Sequence, residues 1–174
     1  MKLYGSTTSP YVRRIRIVLA STEHEFLNLQ IFSGEDRELL ASRNPTLKVP
    51  CLEDDGQMIF DSRIIYNYLA DKLDHDGLSW EEENQLTLID VANDSFVQLM
   101  LLKRSDFDIG EDKMYYRLQN ERIEAVLGAL SNQLDAGGFS GWTYPEICLY
   151  SMIDWVLFRE LHSMKGYPQL LTFH

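Results

Sequence analysis

The chain has 174 residues, of which 45% are hydrophobic and 11% aromatic, so it can bury a core and a disordered chain is not expected. Its formal net charge is −11, and because an acidic chain repels phosphate backbones, a nucleic-acid-binding protein is disfavoured. The charge is uneven, with 9 basic and 10 acidic side chains in residues 1–73 but 7 and 17 in residues 74–174, which predicts two regions of different character.

The first half of the sequence alternates strand and helix patterns. An apolar start that ends at Gly5 is followed by helical spacing in PYVRRIRIVLAST and by strand alternation in EFLNLQI. A polar helix, GEDRELLASR, stops before Pro45. Two strands then flank the turn Asp55-Gly56, and the amphipathic helix SRIIYNYLADKL follows them. The order β-α-β-α-β-β-α predicts one mixed four-stranded sheet with helices against it.

From about residue 78 the strand signals end and three helical patterns follow, with a short turn or helix at the C-terminus. The first pattern begins with the capping box SWEE, and the second ends at a Gly-Gly pair. The third, TYPEICLYSMIDWVLFRELHSM, begins with another capping box, to which we assign a role in folding. We therefore expect an α/β domain in residues 1–75 and an all-helical domain in residues 78–174, with a polar linker at 74–77.

The cysteine and histidine positions argue against a metal centre or a disulfide framework. Cys51, Cys148 and the four histidines are scattered and show no metal-ligand spacing. We expect both cysteines to be buried small side chains and not redox thiols. The first residues contain no apolar region typical of a signal peptide, and no apolar run approaches the roughly 20 residues of a membrane span. These features predict a protein of a reducing, cytoplasmic compartment, with neither a metal nor a membrane as a partner.

The segment NPTLKVPCL places a proline at the entry of a strand. Proline has no backbone N–H to donate to a sheet, so Pro50 indicates either an edge strand or a sharp turn. A cis Val49–Pro50 bond would account for the turn, and the Val49 backbone could then pair with an extended peptide ligand. An ordinary trans proline on an edge strand is the alternative.

The segment FDSRII offers polar groups at the start of a helix. Ser62 has the features of an N-cap, a role that needs no ligand. The same geometry can bind a carboxylate through the helix N–H groups while the neighbouring Asp61 holds an amine. A ligand with both an α-amino and an α-carboxyl group would fit such a pair.

These segments together resemble the glutathione transferase family. SPYVRRIRIVL, NPTLKVPCLEDDGQMIFDSRIIYNYL and TYPEICLYSMIDW occur in the family's order and spacing, with the closer resemblance in the first half. The resemblance implies a thioredoxin-like first domain, a helical second domain, glutathione as co-substrate and a homodimer. It also implies that Val49, beside cis-Pro50, pairs with the cysteinyl backbone of glutathione. The γ-glutamyl end would be held by Asp61 and Ser62, and the glycine carboxylate would lie near Lys48.

The same resemblance places the sulfur-activating residue at the start of the first helix. Ser9 occupies the slot in which cysteine-type members carry their thiol, and Tyr4 is expected in the strand core. A hydroxyl that donates to the glutathione sulfur, together with a helix N-terminus, favours the thiolate and lowers the thiol pKa. Ser9 is the first catalytic candidate, with Thr8 and Ser6 next. The alternative is that Ser9 only caps the helix.

The function implied is the joining of the glutathione thiolate to an electrophilic small molecule, in the manner of cytosolic detoxification enzymes. Family members usually continue for two or more helices beyond the YP-x-L segment, whereas this chain ends at His174, so the resemblance leaves the electrophile unspecified. The alternatives are a non-catalytic protein of this fold that binds partners, and a glutathione-dependent isomerase or reductase. Ser9 disfavours the reductase, which needs a cysteine there. The helix around residues 80–103 is expected to contribute to the homodimer.

Overall fold

The computed structural model describes all 174 residues, in two compact units, Met1–Gly77 and Leu78–His174. The first unit contains β1 (Lys2–Gly5), α1 (Pro10–Val18), β2 (Glu25–Asn28), α2 (Gly34–Arg43), β3 (Cys51–Asp54), β4 (Gln57–Phe60) and α3 (Ser62–Lys72). The second unit contains α4 (Trp80–Arg104), α5 (Met114–Asp135), α6 (Tyr144–Phe158) and α7 (Pro168–Phe173). The predicted fold class, an α/β sheet followed by an all-helical region, is confirmed. None of the helices combines the length and the apolar character needed to span a membrane.

The four strands of the first unit form one mixed sheet in the order β2-β1-β3-β4. β1 pairs in parallel with β2, whereas β3 runs antiparallel to both β1 and β4, with Cys51 opposite Tyr4 on one side and Phe60 on the other. The turn between β3 and β4 has φ values of 47° at Asp55 and 77° at Gly56. Two successive positive φ values are what a two-residue hairpin turn requires, and the predicted hairpin is therefore confirmed.

Side-chain alternation along the strands gives the sheet two buried faces. Tyr4 and Cys51 pack with Leu29 and Leu40 on one face, while Leu3 and its neighbours on β3 point to the other. The Tyr4 side chain is 3% exposed, and its hydroxyl donates to Glu53 Oε2 at 2.5 Å, which confirms its place in the strand core. Burial raises the pKa of the Tyr4 phenol to about 12.

Both cysteines are fully buried, as predicted. Burial raises the pKa of the Cys51 thiol to about 11 because the charged thiolate is poorly solvated in the core. A protonated, inaccessible thiol behaves as a small apolar side chain and is not a redox group.

The start of α3 differs from the prediction by one residue. Asp61, and not Ser62, is the N-cap: its Oδ1 accepts a hydrogen bond from the backbone N–H of Arg63 at 2.9 Å. Asp61 adopts a φ of 71° and a ψ of 136°, a backbone conformation outside the αL well that residues other than glycine rarely adopt. Ser62 is the first residue of the helix and is buried. Asp and Ser are equally good N-caps, so their order in the sequence could not decide between them.

In the second unit, α5 packs against α4 and α7, and α6 packs against α4. The predicted capping boxes at Ser79 and Thr143 are both present. The α5 helix ends with Gly137 at a φ of 81°, where the N–H of Gly138 donates to the carbonyl of Gln133. This 6→1 bond satisfies a carbonyl that the helix end would otherwise leave without a partner.

The end of α6 comes six residues earlier than its apolar pattern predicts. Glu160 adopts a φ of 52°, and the N–H of Leu161 donates to the carbonyl of Val156 at 3.0 Å. The same 6→1 closure that glycine provides in α5 is made here by a glutamate. Because glutamate carries no stop signal, the sequence pattern could not show that the helix stops at Phe158.

A buried carboxylate joins β3 to α3 at the end of the sheet that holds the Asp55-Gly56 turn. Asp54 is 5% exposed, accepts a hydrogen bond from the Tyr68 hydroxyl at 2.7 Å and forms an ion pair with Lys72. Burial would raise the pKa of Asp54, but the bonds from Lys72 and Tyr68 outweigh it and lower that pKa. The bond to Asp54 in turn raises the pKa of Lys72.

We expect Lys72→Met to lower the thermal midpoint of unfolding most between about pH 4 and pH 10. The lowered pKa of Asp54 contributes stability that is present above its unfolded-state pKa and is lost as the pH falls through the folded value. The raised pKa of Lys72 contributes stability that is present below its unfolded-state pKa and is lost as the pH rises towards the folded value. Circular dichroism melts from pH 2 to pH 11, with Lys48→Met as the exposed control, measure the effect. A deficit that stays constant over that range contradicts the prediction.

Candidate functional site

The predicted site residues lie at one end of the sheet in the first unit. Because β3 is antiparallel to both neighbours, β1 ends, β3 begins and β4 ends at this same end. The segments that adjoin these points are 6–9, 48–50 and 61–62, and each contains residues singled out from the sequence. The Asp55-Gly56 turn lies at the opposite end of the sheet.

Ser9 is the N-cap of α1. Its Oγ accepts a hydrogen bond from the backbone N–H of Val12 at 3.3 Å, and its own N–H donates to the carbonyl of Ser6 at 3.0 Å. Because the Oγ acts as an acceptor in this bond, the hydroxyl hydrogen is still available for donation to a ligand. The first turn of α1 contains no acidic residue, so nothing there offsets the partial positive charge of the helix N-terminus. Capping and donation to a ligand are therefore compatible roles for this side chain.

The other two hydroxyl candidates lie in the turn that precedes α1. The Oγ atoms of Ser6 and Thr8 are 3.2 Å apart, so one of them donates to the other. The Thr8 side chain is exposed, whereas that of Ser9 is half-buried. The N–H of Thr7, between them, donates to Asn28 Oδ1 at 3.0 Å and holds this turn against the end of β2.

The peptide bond between Val49 and Pro50 is cis, and β3 begins directly after it. The alternative of a trans proline on an edge strand is wrong, because β3 lies between β1 and β4. Pro50 precedes the ladder and therefore removes no strand hydrogen bond. Neither the N–H nor the carbonyl of Val49 pairs with another backbone group of the chain. The Val49 backbone is thus available to an extended ligand that lies along this end of the sheet.

Asp61 and Ser62 mark the step from β4 into α3. The Asp61 side chain is exposed, and one carboxylate oxygen caps the helix through the Arg63 N–H. The first turn of α3 contains no acidic residue within the helix, so its N-terminal amides can attract an anion. A carboxylate on Asp61 beside these amides offers partners for an ammonium group and for a carboxylate group.

No sequence pattern singled out Arg37 and Asn44, yet both side chains fix the loop that leads to Pro50. Arg37 Nη1 donates to the carbonyl of Leu47 at 3.0 Å, and Asn44 Nδ2 donates to the carbonyl of Lys48 at 2.7 Å. The Lys48 side chain itself is exposed. The Arg37 bond joins residues ten positions apart across a loop, and neither bond is part of a helix or a capping pattern, so only the folded structure shows them.

The structure contains no group of three or more His, Cys, Asp or Glu side chains placed to hold a metal ion. The features gathered at this end of the sheet are instead hydroxyls, helix N-termini, a carboxylate and an open main-chain segment. Such groups bind a polar, extended ligand with charged ends.

Comparison with known proteins agrees with this description. Residues 3–77 match the family model for the glutathione S-transferase N-terminal domain. Over 75 residues the chain is 39% identical to glutathione S-transferase F13 of Arabidopsis thaliana, a match that covers 41% of this chain and 34% of that protein. Over 95 residues it is 37% identical to the probable glutathione S-transferase GSTF2 of Oryza sativa. This match covers 52% of this chain and 44% of that protein. The matched segment thus spans less than half the length of these relatives.

Solved structures are similar over nearly the whole chain. A glutathione S-transferase of Methylobacillus flagellatus with bound glutathione has a TM-score of 0.82 at 22% identity, covering 99% of this chain and 91% of that one. A glutathione transferase family member of Pseudomonas fluorescens, also with bound glutathione, has a TM-score of 0.81 at 23% identity. This similarity covers 99% of this chain and 91% of that one. The fold is therefore that of a thioredoxin-like domain followed by an all-helical region. Residues 3–77 thus match the glutathione S-transferase N-terminal domain, and over the rest of the chain the similarity to these proteins is one of fold.

Proposed function

We propose that this protein is a glutathione transferase that binds glutathione at the end of the sheet formed by β1, β3 and β4. The site activates the thiol for attack on an electrophilic small molecule. The observation that carries the proposal is the placement of three complementary features at that one end. They are the Ser9 hydroxyl at the α1 N-terminus, the open backbone of Val49, and Asp61 at the α3 N-terminus.

The spacing of the strands fits an extended tripeptide. β1 and β4 are separated by β3, so the two outer segments are about 10 Å apart, which is two inter-strand distances. Three extended residues span about 10 Å. A tripeptide can therefore place its middle residue beside β3 while its γ-glutamyl end reaches α3.

Each part of glutathione has a complementary group. The N-terminal amides of α3, with the buried Ser62, suit the α-carboxylate of the γ-glutamyl end, and the Asp61 carboxylate suits its ammonium. The N–H and carbonyl of Val49 suit the backbone of the cysteinyl residue. The exposed ammonium of Lys48 suits the glycine carboxylate.

The cysteinyl sulfur would then lie near the end of β1 and the start of α1. A thiol with a pKa near 8.5 is only a few per cent ionised at pH 7. Donation by the Ser9 hydroxyl and the positive end of α1 both stabilise the thiolate. The thiol proton passes to solvent, and the thiolate then attacks an electrophilic carbon and forms the C–S bond. In a substitution the leaving group departs with its electron pair, and in an addition the resulting carbanion takes a proton from solvent. Thr8 is the second candidate donor and Ser6 the third.

A homodimer to which α4 contributes follows from the family resemblance. Trp80 is 74% exposed, and Val91 and Leu101 are each 38% exposed. These side chains lie ten or more residues apart along the helix, so such a dimer could cover them, but they form no contiguous apolar patch by themselves. A homodimer, a cytoplasmic location and a role in detoxification are part of this proposal.

A glutathione-dependent reductase is disfavoured because both thiols of the chain are inaccessible.

Glutathione binding tests the proposal directly. By isothermal titration calorimetry we expect binding to the wild-type protein, and about tenfold weaker binding to Asp61→Asn, since the charged partner of the ammonium is lost. Asparagine keeps the capping oxygen and the size of the aspartate side chain, so α3 should still form.

The matched control is Asp55→Asn, which removes the same charge from another exposed aspartate of positive φ. Because Asp55 lies at the opposite end of the sheet, this variant should bind glutathione as the wild type does. A wild-type protein that takes up no glutathione at millimolar concentration would overturn the proposed function and favour a non-catalytic interaction protein.

A further inference from the structure

The loop between α2 and β3 is closed by a buried amide. Asn44 is 1% exposed; its Nδ2 donates to the carbonyl of Lys48 at 2.7 Å, and its Oδ1 accepts from the N–H of Thr46 at 2.9 Å. Both ends of one side chain thus bond to the backbone of the same loop. A buried amide with both groups paired holds its neighbours in one geometry, since breaking either bond leaves a buried polar group without a partner.

Arg37 holds the same loop from α2. Its Nη1 donates to the carbonyl of Leu47 at 3.0 Å and to the carbonyl of Ile31 at 3.2 Å. Leu47 has a φ of 58°, a left-handed conformation that leucine rarely adopts without support. The guanidinium therefore links the segment before α2 to the segment before Pro50 and stabilises an otherwise unfavourable backbone conformation.

The planarity of the peptide group carries this restraint to Val49. The carbonyl of Lys48 and the N–H of Val49 belong to one trans peptide unit, so they point in opposite directions. When Asn44 holds the carbonyl of Lys48, it also fixes the direction in which the Val49 N–H points. The Val49 N–H pairs with no other backbone group. Its direction is therefore fixed by the loop, while the N–H itself can still donate to a ligand.

We propose that Asn44 and Arg37 are positioning residues that aim the Val49 backbone at the cysteinyl residue of glutathione, an inference that rests on the proposed function. Neither side chain touches the ligand in this arrangement. Their contribution is to prevent the loop from sampling other conformations before the ligand binds. The loop then loses less conformational entropy when glutathione binds.

Two variants separate the two restraints. Asn44→Ala removes the donor to Lys48, together with the acceptor from Thr46, and places no charge in the buried site, while Arg37→Met keeps the length of the side chain and removes the donor to Leu47. We expect each to raise the Kd for glutathione by about 5- to 10-fold, the range for the loss of one such hydrogen bond. In a conjugation assay, the KM for glutathione should rise by a similar factor while kcat changes less than about twofold, because Ser9 lies on a different segment.

A second readout follows the loop without any ligand. Backbone ¹⁵N relaxation measured by NMR on the unliganded protein should show a more mobile Val49 amide in both variants, with the amides of β1 and β3 unchanged. Arg37→Lys, which retains one donor, should recover part of the affinity lost in Arg37→Met. Arg43→Met is the matched control, because Arg43 lies on the same helix and makes only a loose ion pair, 4.0 Å from Glu53.

The outcomes distinguish this inference from the proposed function. If the wild type binds glutathione and both variants bind it equally well, the positioning role is wrong and the proposed function stands. If the variants lose thermal stability while the Kd and the mobility of the Val49 amide stay at wild-type values, the two side chains are only structural and the inference is overturned. If the wild type binds no glutathione, the proposed function is overturned and this inference falls with it.

Discussion

Replacing Ser9 by alanine should lower the rate of glutathione conjugation by about 10- to 100-fold at neutral pH. The variant loses the hydroxyl that we propose donates to the thiolate, and a hydrogen bond to a charged group contributes about 1.5–3 kcal/mol. Each 1.36 kcal/mol corresponds to one pKa unit of the bound thiol. The loss should therefore appear as a thiol that ionises one to two units higher than in the wild type.

The dependence of the conjugation rate on pH distinguishes the loss of thiolate stabilisation from other causes of a lower rate. With the wild type, the rate should rise with pH up to the lowered thiol pKa and then level off, whereas with Ser9→Ala it should continue to rise to higher pH. Above both values the thiol is ionised in either protein, and the rates should converge to within a few-fold. A Ser9→Ala protein whose rate is reduced equally at every pH has lost something other than thiolate stabilisation.

Ser9 is also the N-cap of α1, so the test needs variants that keep the cap. Loss of a serine cap costs about 1 kcal/mol of stability. Ser9→Asp keeps an oxygen that can accept from the Val12 N–H, but its charge repels a thiolate, so this protein should be stable and as slow as Ser9→Ala or slower. Thr8→Ala is the neighbouring control and should lose less than about threefold. If Thr8→Ala is the slow variant and Ser9→Ala is not, the donor has been assigned to the wrong hydroxyl.

Local chemistry made much of the first unit predictable. The Asp55-Gly56 pair needs positive φ values, and the proline after Val49 cannot continue a ladder, so each position constrains its own backbone. The same holds for the capping boxes at Ser79 and Thr143, in which residues three positions apart satisfy the free N–H groups of a helix start. These features depend on a few adjacent residues and need no knowledge of the fold.

Features that depend on a choice between equivalent residues, or on contacts across a loop, were not predictable. Asp61 and Ser62 are both good caps, and only the backbone geometry selects Asp61. Glu160 ends α6 in a conformation for which its residue type gives no sign. Arg37 and Asn44 bond to main-chain carbonyls, which every residue carries, so no pattern of side chains marks their partners.

Replacing Glu146 by alanine should lower the free energy of unfolding of the helical unit by about 3 kcal/mol. Glu146 is 4% exposed, and its carboxylate accepts hydrogen bonds from the N–H of Gly141 at 3.1 Å, from the N–H of Thr143 at 3.0 Å and from the Thr143 hydroxyl. Removing the carboxylate leaves these donors without their partner beneath a buried helix start. These hydrogen bonds are part-buried, so water can replace the lost partners only in part.

The chain contains its own control for this effect. The capping box at the start of α4 has the same pattern, with Glu82 accepting from the N–H and the hydroxyl of Ser79, both at 2.8 Å, but it lies at the surface. There the donors freed by Glu82→Ala can bond to water, so we expect a loss of about 1 kcal/mol or less. Glu146→Gln, which retains one acceptor oxygen, should fall between Glu146→Ala and the wild type.

Urea titrations followed by tryptophan fluorescence can measure these differences. All three tryptophans, Trp80, Trp142 and Trp155, lie in the helical unit, so their emission reports its unfolding and not that of the sheet. If Glu146→Ala and Glu82→Ala shift the midpoint equally, burial does not set the strength of a capping box in this protein. If Glu146→Ala fails to fold at all, Glu146→Gln still decides the point, since a wild-type midpoint for that variant would show that the second carboxylate oxygen contributes nothing.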